Sequence, residues 1–247
     1  MINKRLICLI LFSTLTTMAQ NLKKLSYTDK NQKLNGLITD SKENNLPGVL
    51  ILPAWMGIDE EAKSAAISLQ EHGYIALIAD IYGEGNIPTN IEEAKKITSF
   101  YKANYEDYQK RINIALEELV KQGADRNNLV VIGYCFGGTG ALEAARGNLN
   151  IKGAVSIHGS LTNGLNRNNK IHADVLVLHG ADDESVSKQD IENLTNEMNQ
   201  SQVNWQMIYY GNSKHTFTNP ASKDYNEVMS KRSWSHVLNY LQEVLKK

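Results

Sequence analysis

The sequence predicts a three-layer α/β fold, a mainly parallel sheet with helices on both faces. Three observations lead to it. Short β-branched and aliphatic runs alternate along the chain with segments of helical periodicity, the pattern of strands joined by crossover helices. Runs such as Val49-Leu50-Ile51-Leu52 and Leu129-Val130-Val131-Ile132 are continuously apolar, as strands covered on both faces must be. Turn signals such as Pro47-Gly48, Gly73 and Gly123 separate the two kinds of segment.

The chain begins with a segment outside this pattern. Lys4 and Arg5 precede the apolar run Leu6–Phe12, and Thr17-Met18-Ala19 offers small residues for cleavage before Gln20. A positive start, a short apolar centre and a small-x-small site describe a secretory signal over 1–19. The competing reading is an uncleaved membrane anchor, although the run is short for a bilayer. The expected mature protein, 20–247, suits one large domain and is exported, periplasmic or secreted. With the signal removed, Cys135 is the single cysteine, so no intramolecular disulfide can form.

Leu22–Tyr27 and Lys33–Ile38 alternate weakly, as an edge hairpin would. Val49–Leu52 is a buried strand, and Asp59 caps a helix with Ala62, Ala65, Ala66 and Leu69 inward. Tyr74–Ile78 is the next strand. A polar helical stretch from Ile91 to Tyr105 follows. After it, Tyr108, Ile112, Ala115, Leu116 and Leu119 form the inner face of an amphipathic helix. Further strands fall at Leu129–Ile132, Gly153–Ile157, Asp174–Leu178 and Trp205–Tyr210. Helices fall at about Lys188–Met198 and Asp224–Leu245. In such sheets the ligand site lies beyond the carboxyl ends of the strands. Hydrophobic residues at 42%, charged residues at 21% and a net charge of −1 give no electrostatic case for nucleic acid or an anionic membrane.

Gly133-Tyr134-Cys135-Phe136-Gly137 follows a predicted strand and opens a small-residue helix. Strand, sharp turn, one nucleophile between two glycines, then helix is the nucleophile elbow. The alternatives are a buried cysteine in a glycine-rich turn or a phosphate loop, and the latter lacks its Lys-Ser/Thr or dinucleotide spacing. Two later loops supply partners. His179-Gly180-Ala181-Asp182-Asp183 follows one strand, and Gly211-Asn212-Ser213-Lys214-His215 follows another. An imidazole within reach converts a thiol to the reactive thiolate, and a carboxylate on the far ring nitrogen fixes the tautomer.

Over essentially all of 20–247 the chain resembles the dienelactone hydrolase family, of the α/β-hydrolase fold. The motifs are Gly133-Tyr134-Cys135-Phe136-Gly137-Gly138, then Gly180-x-x-Asp183-x-x-Val186, then His215-x-Phe217. The resemblance implies Cys135 as nucleophile, Asp183 as orienting acid and His215 as base. Asp182 is read as a turn residue. The oxyanion hole implied is the backbone N–H of Trp55 and Phe136. Met56, Tyr82, His158 and Asn219 are candidate substrate contacts. For Tyr82 and His158, as for His179, packing is the competing role. His72, His172 and His236 read as structural or solvated, and no metal or other cofactor is expected.

Two positions depart from family members that open dienelactones. Those carry Glu where this chain has Ala54, and an arginine where it has Asn219; Arg146 and Arg232 lie on predicted helices. Without a guanidinium to clamp a carboxylate, a neutral ester, lactone or thioester is the expected substrate. A non-catalytic small-ligand binding or sensing protein on the same scaffold is the alternative. A redox thiol protein is a third reading, weakened by the lack of a resolving cysteine.

Overall fold

The computed structural model describes residues 22–163 and 170–245. The expected signal at 1–19 lies outside them. Eight strands form one sheet: β1 (Lys23–Asp29), β2 (Gln32–Ile38), β3 (Leu46–Leu52), β4 (Ile75–Ile78), β5 (Ala124–Tyr134), β6 (Gly153–Ile157), β7 (Asp174–Gly180) and β8 (Trp205–Tyr210). Among the described residues six helices accompany them: α1 (Glu60–Glu71), α2 (Ile91–Ala103), α3 (Tyr105–Lys121), α4 (Phe136–Arg146), α5 (Lys188–Ser201) and α6 (Glu227–Val244).

The sheet order is β1-β2-β4-β3-β5-β6-β7-β8. The hairpin β1–β2 joins antiparallel and every pairing from β4 to β8 is parallel. The central strands β3 and β4 carry buried residues on both faces, which is why their sequences do not alternate. One face packs α1 and α6 through Ala62, Ala66, Leu69, Val237 and Leu241. The other packs α2 to α5 through Tyr101, Tyr108, Ile112, Leu142, Leu194 and Met198.

The boundaries differ from expectation at three places. Asn104 both ends α2 and starts α3, so the latter begins three residues before Tyr108. Helix α6 starts after Asn226, whose side chain accepts the Met229 N–H; Asp224 and Tyr225 belong to the preceding turn. Strand β5 begins at Ala124, with a register shift against β3 between Leu46 and Gly48 that hides the strand's start from a periodicity count.

Parallel register sets the site. Leu52 pairs with Gly133, Tyr134 with Ile157 and Gly180 with Tyr210, so the exits of β3, β5, β6, β7 and β8 lie side by side. Those exits carry Trp55, Cys135, His158, Asp183 and His215.

Candidate active site

Cys135 is the N-cap of α4, with φ 52° and ψ −112°. A non-glycine residue holds that backbone only where its surroundings over-determine it. Here the flanking glycines permit the approach. A Cβ on Gly133 would collide with the Gly137 carbonyl, and one on Gly137 with the Leu52 carbonyl. The Cys135 N–H is held by the Ile157 carbonyl at 3.0 Å and by His158 Nδ1 at 3.1 Å. Its side chain stays partly exposed.

Three loops then meet. His215 Nε2 lies 3.1 Å from Cys135 Sγ, and His215 Nδ1 lies 2.8 Å from Asp183 Oδ2. The Asp183 side chain is fully buried, and Ser185 donates to its Oδ1 twice, from Oγ at 2.6 Å and from N at 2.9 Å. Ser185 Oγ is also 3.1 Å from His215 Nδ1. Burial opposes ionisation of Asp183, but the hydrogen bonds from His215 and Ser185 outweigh it and hold the carboxyl down at about 2. Burial likewise disfavours a charged His215. The bonds to Asp183 and Cys135 again win, raising the imidazole to about 10. The ring is therefore a strong proton acceptor set against the sulfur.

Asp182, the neighbouring acid, is exposed in the turn after β7, and its backbone N–H donates to the Ser213 carbonyl in the loop after β8 rather than to local backbone. Phe136 is the first residue of α4, so its N–H has no carbonyl four residues earlier within the helix. Trp55 lies in the turn after β3, which is tied to this region by a short chain of contacts. Tyr82 donates from its hydroxyl to the Trp55 carbonyl at 2.8 Å, and its ring stacks on Phe136 at 5.9 Å. Tyr82 is buried, so its hydroxyl is engaged with the loop rather than left free for a ligand. Met56 is exposed, and with Ala54, Ile87, Tyr82 and Phe136 it lines a cavity of about 120 Å³ beside the elbow.

Two expected contacts are placed otherwise. His158 is 1% exposed, and both ring nitrogens are occupied: Nδ1 accepts from Cys135 N–H, and Nε2 meets Thr218 Oγ1 at 2.8 Å. An acceptor Nδ1 requires the Nε2–H tautomer, and burial pushes this imidazole down to about 3, so it is neutral. It braces the nucleophile's backbone from behind instead of lining a pocket. Asn219 Oδ1 accepts the Ala221 N–H at 2.9 Å, which fixes the side chain in a local turn.

Arg146 is buried against Glu143 and Glu197 and donates to the carbonyls of Leu161 and Thr162; Arg232 is exposed. His179 is buried with its ring edge on Tyr209, and burial lowers its basicity. Among the described residues no cluster of three His, Cys, Asp or Glu side chains is set to hold a metal, and no helix is long and apolar enough to cross a membrane.

The model of the dienelactone hydrolase family matches residues 34–245. The chain belongs to the dienelactone hydrolase family. It is a hydrolase of that family, with the family's α/β-hydrolase fold. One relative, from Bradyrhizobium sp., is named as a probable 2-oxo-3-(5-oxofuran-2-ylidene)propanoate lactonase; it is 28% identical over 209 residues, 80% of this chain and 84% of its own. A dienelactone hydrolase-like promiscuous phosphotriesterase from metagenomic libraries superposes with a TM-score of 0.83 at 28% identity, covering 92% of this chain and 99% of its own. The solved protein m3DLH gives a TM-score of 0.85 at 31% identity, covering 92% and 100%.

Sequence reasoning missed two members of the site. Ser185 binds both Asp183 and His215, and Thr218 holds His158. The first had a signal, since a serine two residues after an aspartate commonly closes onto its carboxylate. The second had none, because Thr218 and His158 are 60 residues apart.

Proposed function

We propose that this family member hydrolyses a small neutral ester, lactone or thioester through a covalent intermediate on Cys135. The observation that carries the reading is the continuous relay from Cys135 Sγ through His215 to buried Asp183, at 3.1 and 2.8 Å. His215 Nε2 takes the thiol proton and the sulfur electron pair attacks the acyl carbon. The carbonyl π pair moves onto oxygen, where the N–H groups of Trp55 and Phe136 receive it. As the tetrahedral species collapses, the bond to the leaving oxygen or sulfur breaks and His215 returns the proton to it. Water then gives its proton to His215 and attacks the thioester. Cys135 leaves, taking the proton back. Asp183 supports the imidazolium throughout.

The neutral substrate class is supported by the cavity beside the elbow. Among the described residues its lining holds no cationic side chain, and Ala54 leaves one wall apolar. The single acid there, Asp80, already receives the N–H groups of Asn35, Tyr82 and Gly83. Among the described residues an anionic substrate would meet a carboxylate and no guanidinium. The N-terminal pattern at 1–19 supports export, so the reaction is placed in the periplasm or outside the cell.

The test is steady-state and burst kinetics on the mature protein, under reducing conditions. Neutral p-nitrophenyl esters, small lactones and thioesters are compared with carboxylate-bearing lactones. A burst of one product per Cys135, lost in Cys135→Ala, is expected, with neutral substrates preferred. Saturable ligand binding with no hydrolysis would instead favour a binding protein on this scaffold.

A further inference from the structure

We infer that the protein carries a second small-molecule site, between α1 and α6, built for a small organic ammonium ion with Glu61 as its counter-ion. A cavity of about 300 Å³ lies there, lined by Glu61, Ser68, Tyr134, Thr218, Ser233 and Trp234 among others. None of Cys135, Asp183 or His215 lines it. It borders the residues immediately before Cys135 and His158, on the sheet face opposite α2 to α5.

Glu61 marks its chemistry. Glu61 is buried, the residue being 8% exposed, and its Oε1 has no hydrogen-bond partner among the described residues. A buried carboxylate oxygen left unanswered is costly, and such an atom points to an absent donor. The Thr218 side chain, on the same cavity wall, favours the ionised carboxyl. Thr218 is bonded to His158, which is bonded to the Cys135 amide, so hydrogen bonds run from the nucleophile's backbone to the cavity wall that Glu61 shares.

The walls fit a cation better than any other class. They offer two electron-rich rings, Tyr134 and Trp234, and the Trp234 indole is fixed by its 3.0 Å bond to Ser68 Oγ. Ser230 and Ser233 spend their hydroxyl protons on the carbonyls of Thr218 and Ser230, leaving lone pairs as acceptors. No lysine or arginine lines the cavity. An anion would face the Glu61 carboxyl with no lysine or arginine in the lining to offset it. A neutral apolar molecule would leave Oε1 unanswered. An alkyl- or arylammonium of a few carbons satisfies the carboxyl, the hydroxyls and the rings together.

Burial, with Asp59 nearby, lifts the Glu61 carboxyl to about 7. The other ionisable groups around it are Tyr134 at the end of β5 and neutral His158 behind Thr218, while α6 adds no charged side chain to the lining. An ammonium therefore binds the ionised form, and its affinity rises as pH increases through 7.

The test is calorimetric titration of the full mature protein with benzylammonium and n-butylammonium, set against benzyl alcohol and benzoate. Saturable binding of the amines alone is expected, stronger at pH 8 than at pH 6. Glu61→Gln should weaken it by roughly 10- to 100-fold, the worth of one charge-assisted bond. Ser64→Phe, from the exposed rim of the cavity, should block it without touching the core. The inference is overturned by no saturable amine binding, by equal binding of benzyl alcohol, or by unchanged affinity in either variant. Because Ser64 is on the surface, that variant keeps the test decisive even where Glu61→Gln fails to fold. Esterase activity, whatever its level, plays no part in the readout.

Discussion

Replacing Asp183 by Asn tests the relay at its most buried point. The carboxylate is fully enclosed and accepts from Ser185 Oγ, Ser185 N and His215 Nδ1. Asn keeps the shape and one acceptor oxygen. The two Ser185 bonds compete for that oxygen, which turns the amide nitrogen toward His215 Nδ1. A donor facing a donor forces the imidazole into the other tautomer, with its proton on Nε2 against the thiol. The size of the loss follows from His215 itself. Its rise from 6.5 to about 10 is worth roughly 5 kcal/mol in favour of the imidazolium, shared between Asp183 and Cys135. The Asp183 hydrogen bond is the largest single cause of the rise, so about half of that sum or more is at stake, on the order of 10² in rate. The assay is kcat/KM for p-nitrophenyl acetate at pH 7, with thermal denaturation as a check that the variant is folded. A folded Asp183→Asn enzyme within a few-fold of the parent would refute the relay. Ser185 Oγ, 3.1 Å from the same nitrogen, would then be the working partner.

Other outcomes follow from the same contacts. Tyr82→Phe removes the bond to the Trp55 carbonyl while keeping the stack on Phe136, and should lower kcat by about 5- to 10-fold, KM nearly unchanged; a change confined to KM would contradict a positioning role. Arg146→Met strips the guanidinium from buried Glu143 and Glu197, and should cost about 3–5 kcal/mol. For a chain of this size that is a fall of roughly 6–20 °C in Tm by calorimetry. His158 holds its proton only below about 3 when folded, against 6.5 when unfolded, so the unfolded chain gains the proton first as pH falls. Stability should drop from pH 6.5 towards 3, and His158→Asn should flatten that slope; parallel slopes would remove His158 as its source.

Much of the fold was legible because strand and helix periods are local. All eight strands and six helices lie where the apolar runs and capping residues put them, with Asp59 and the Gly73 turn marking both ends of α1. The boundaries that escaped are those set by something other than periodicity: the Asn104 hinge, and the cap at Asn226 that shortens α6. The elbow was legible because its glycines answer a steric demand of the backbone, seen in the collisions a Cβ would make at Gly133 and Gly137. What stayed hidden is long-range polar pairing. Nothing in the run Ser156-Ile157-His158-Gly159 says that the imidazole turns inward to accept an amide, and a strand-end histidine reads equally well as a pocket wall.

The two histidines near the sulfur show how one fold assigns opposite tasks to the same side chain. Their rings are 5.2 Å apart, close enough that two imidazolium charges would repel strongly. Environment settles which one carries the proton. His215 is partly exposed and faces a carboxylate, which raises it to about 10. His158 is enclosed, faces an amide N–H and a hydroxyl, and falls to about 3. Across the range between those values only His215 holds a second ring proton, so it is the ring that keeps the proton Cys135 gives up. Neutral His158 can then brace the strained elbow at φ 52° without competing for the proton. The same reasoning explains the cost of moving charge into the second position: a carboxylate bonded directly to His158 Nε2, in place of the Thr218 hydroxyl, would raise His158 and set two cations side by side. The uncharged threonine holds the ring and leaves its basicity low.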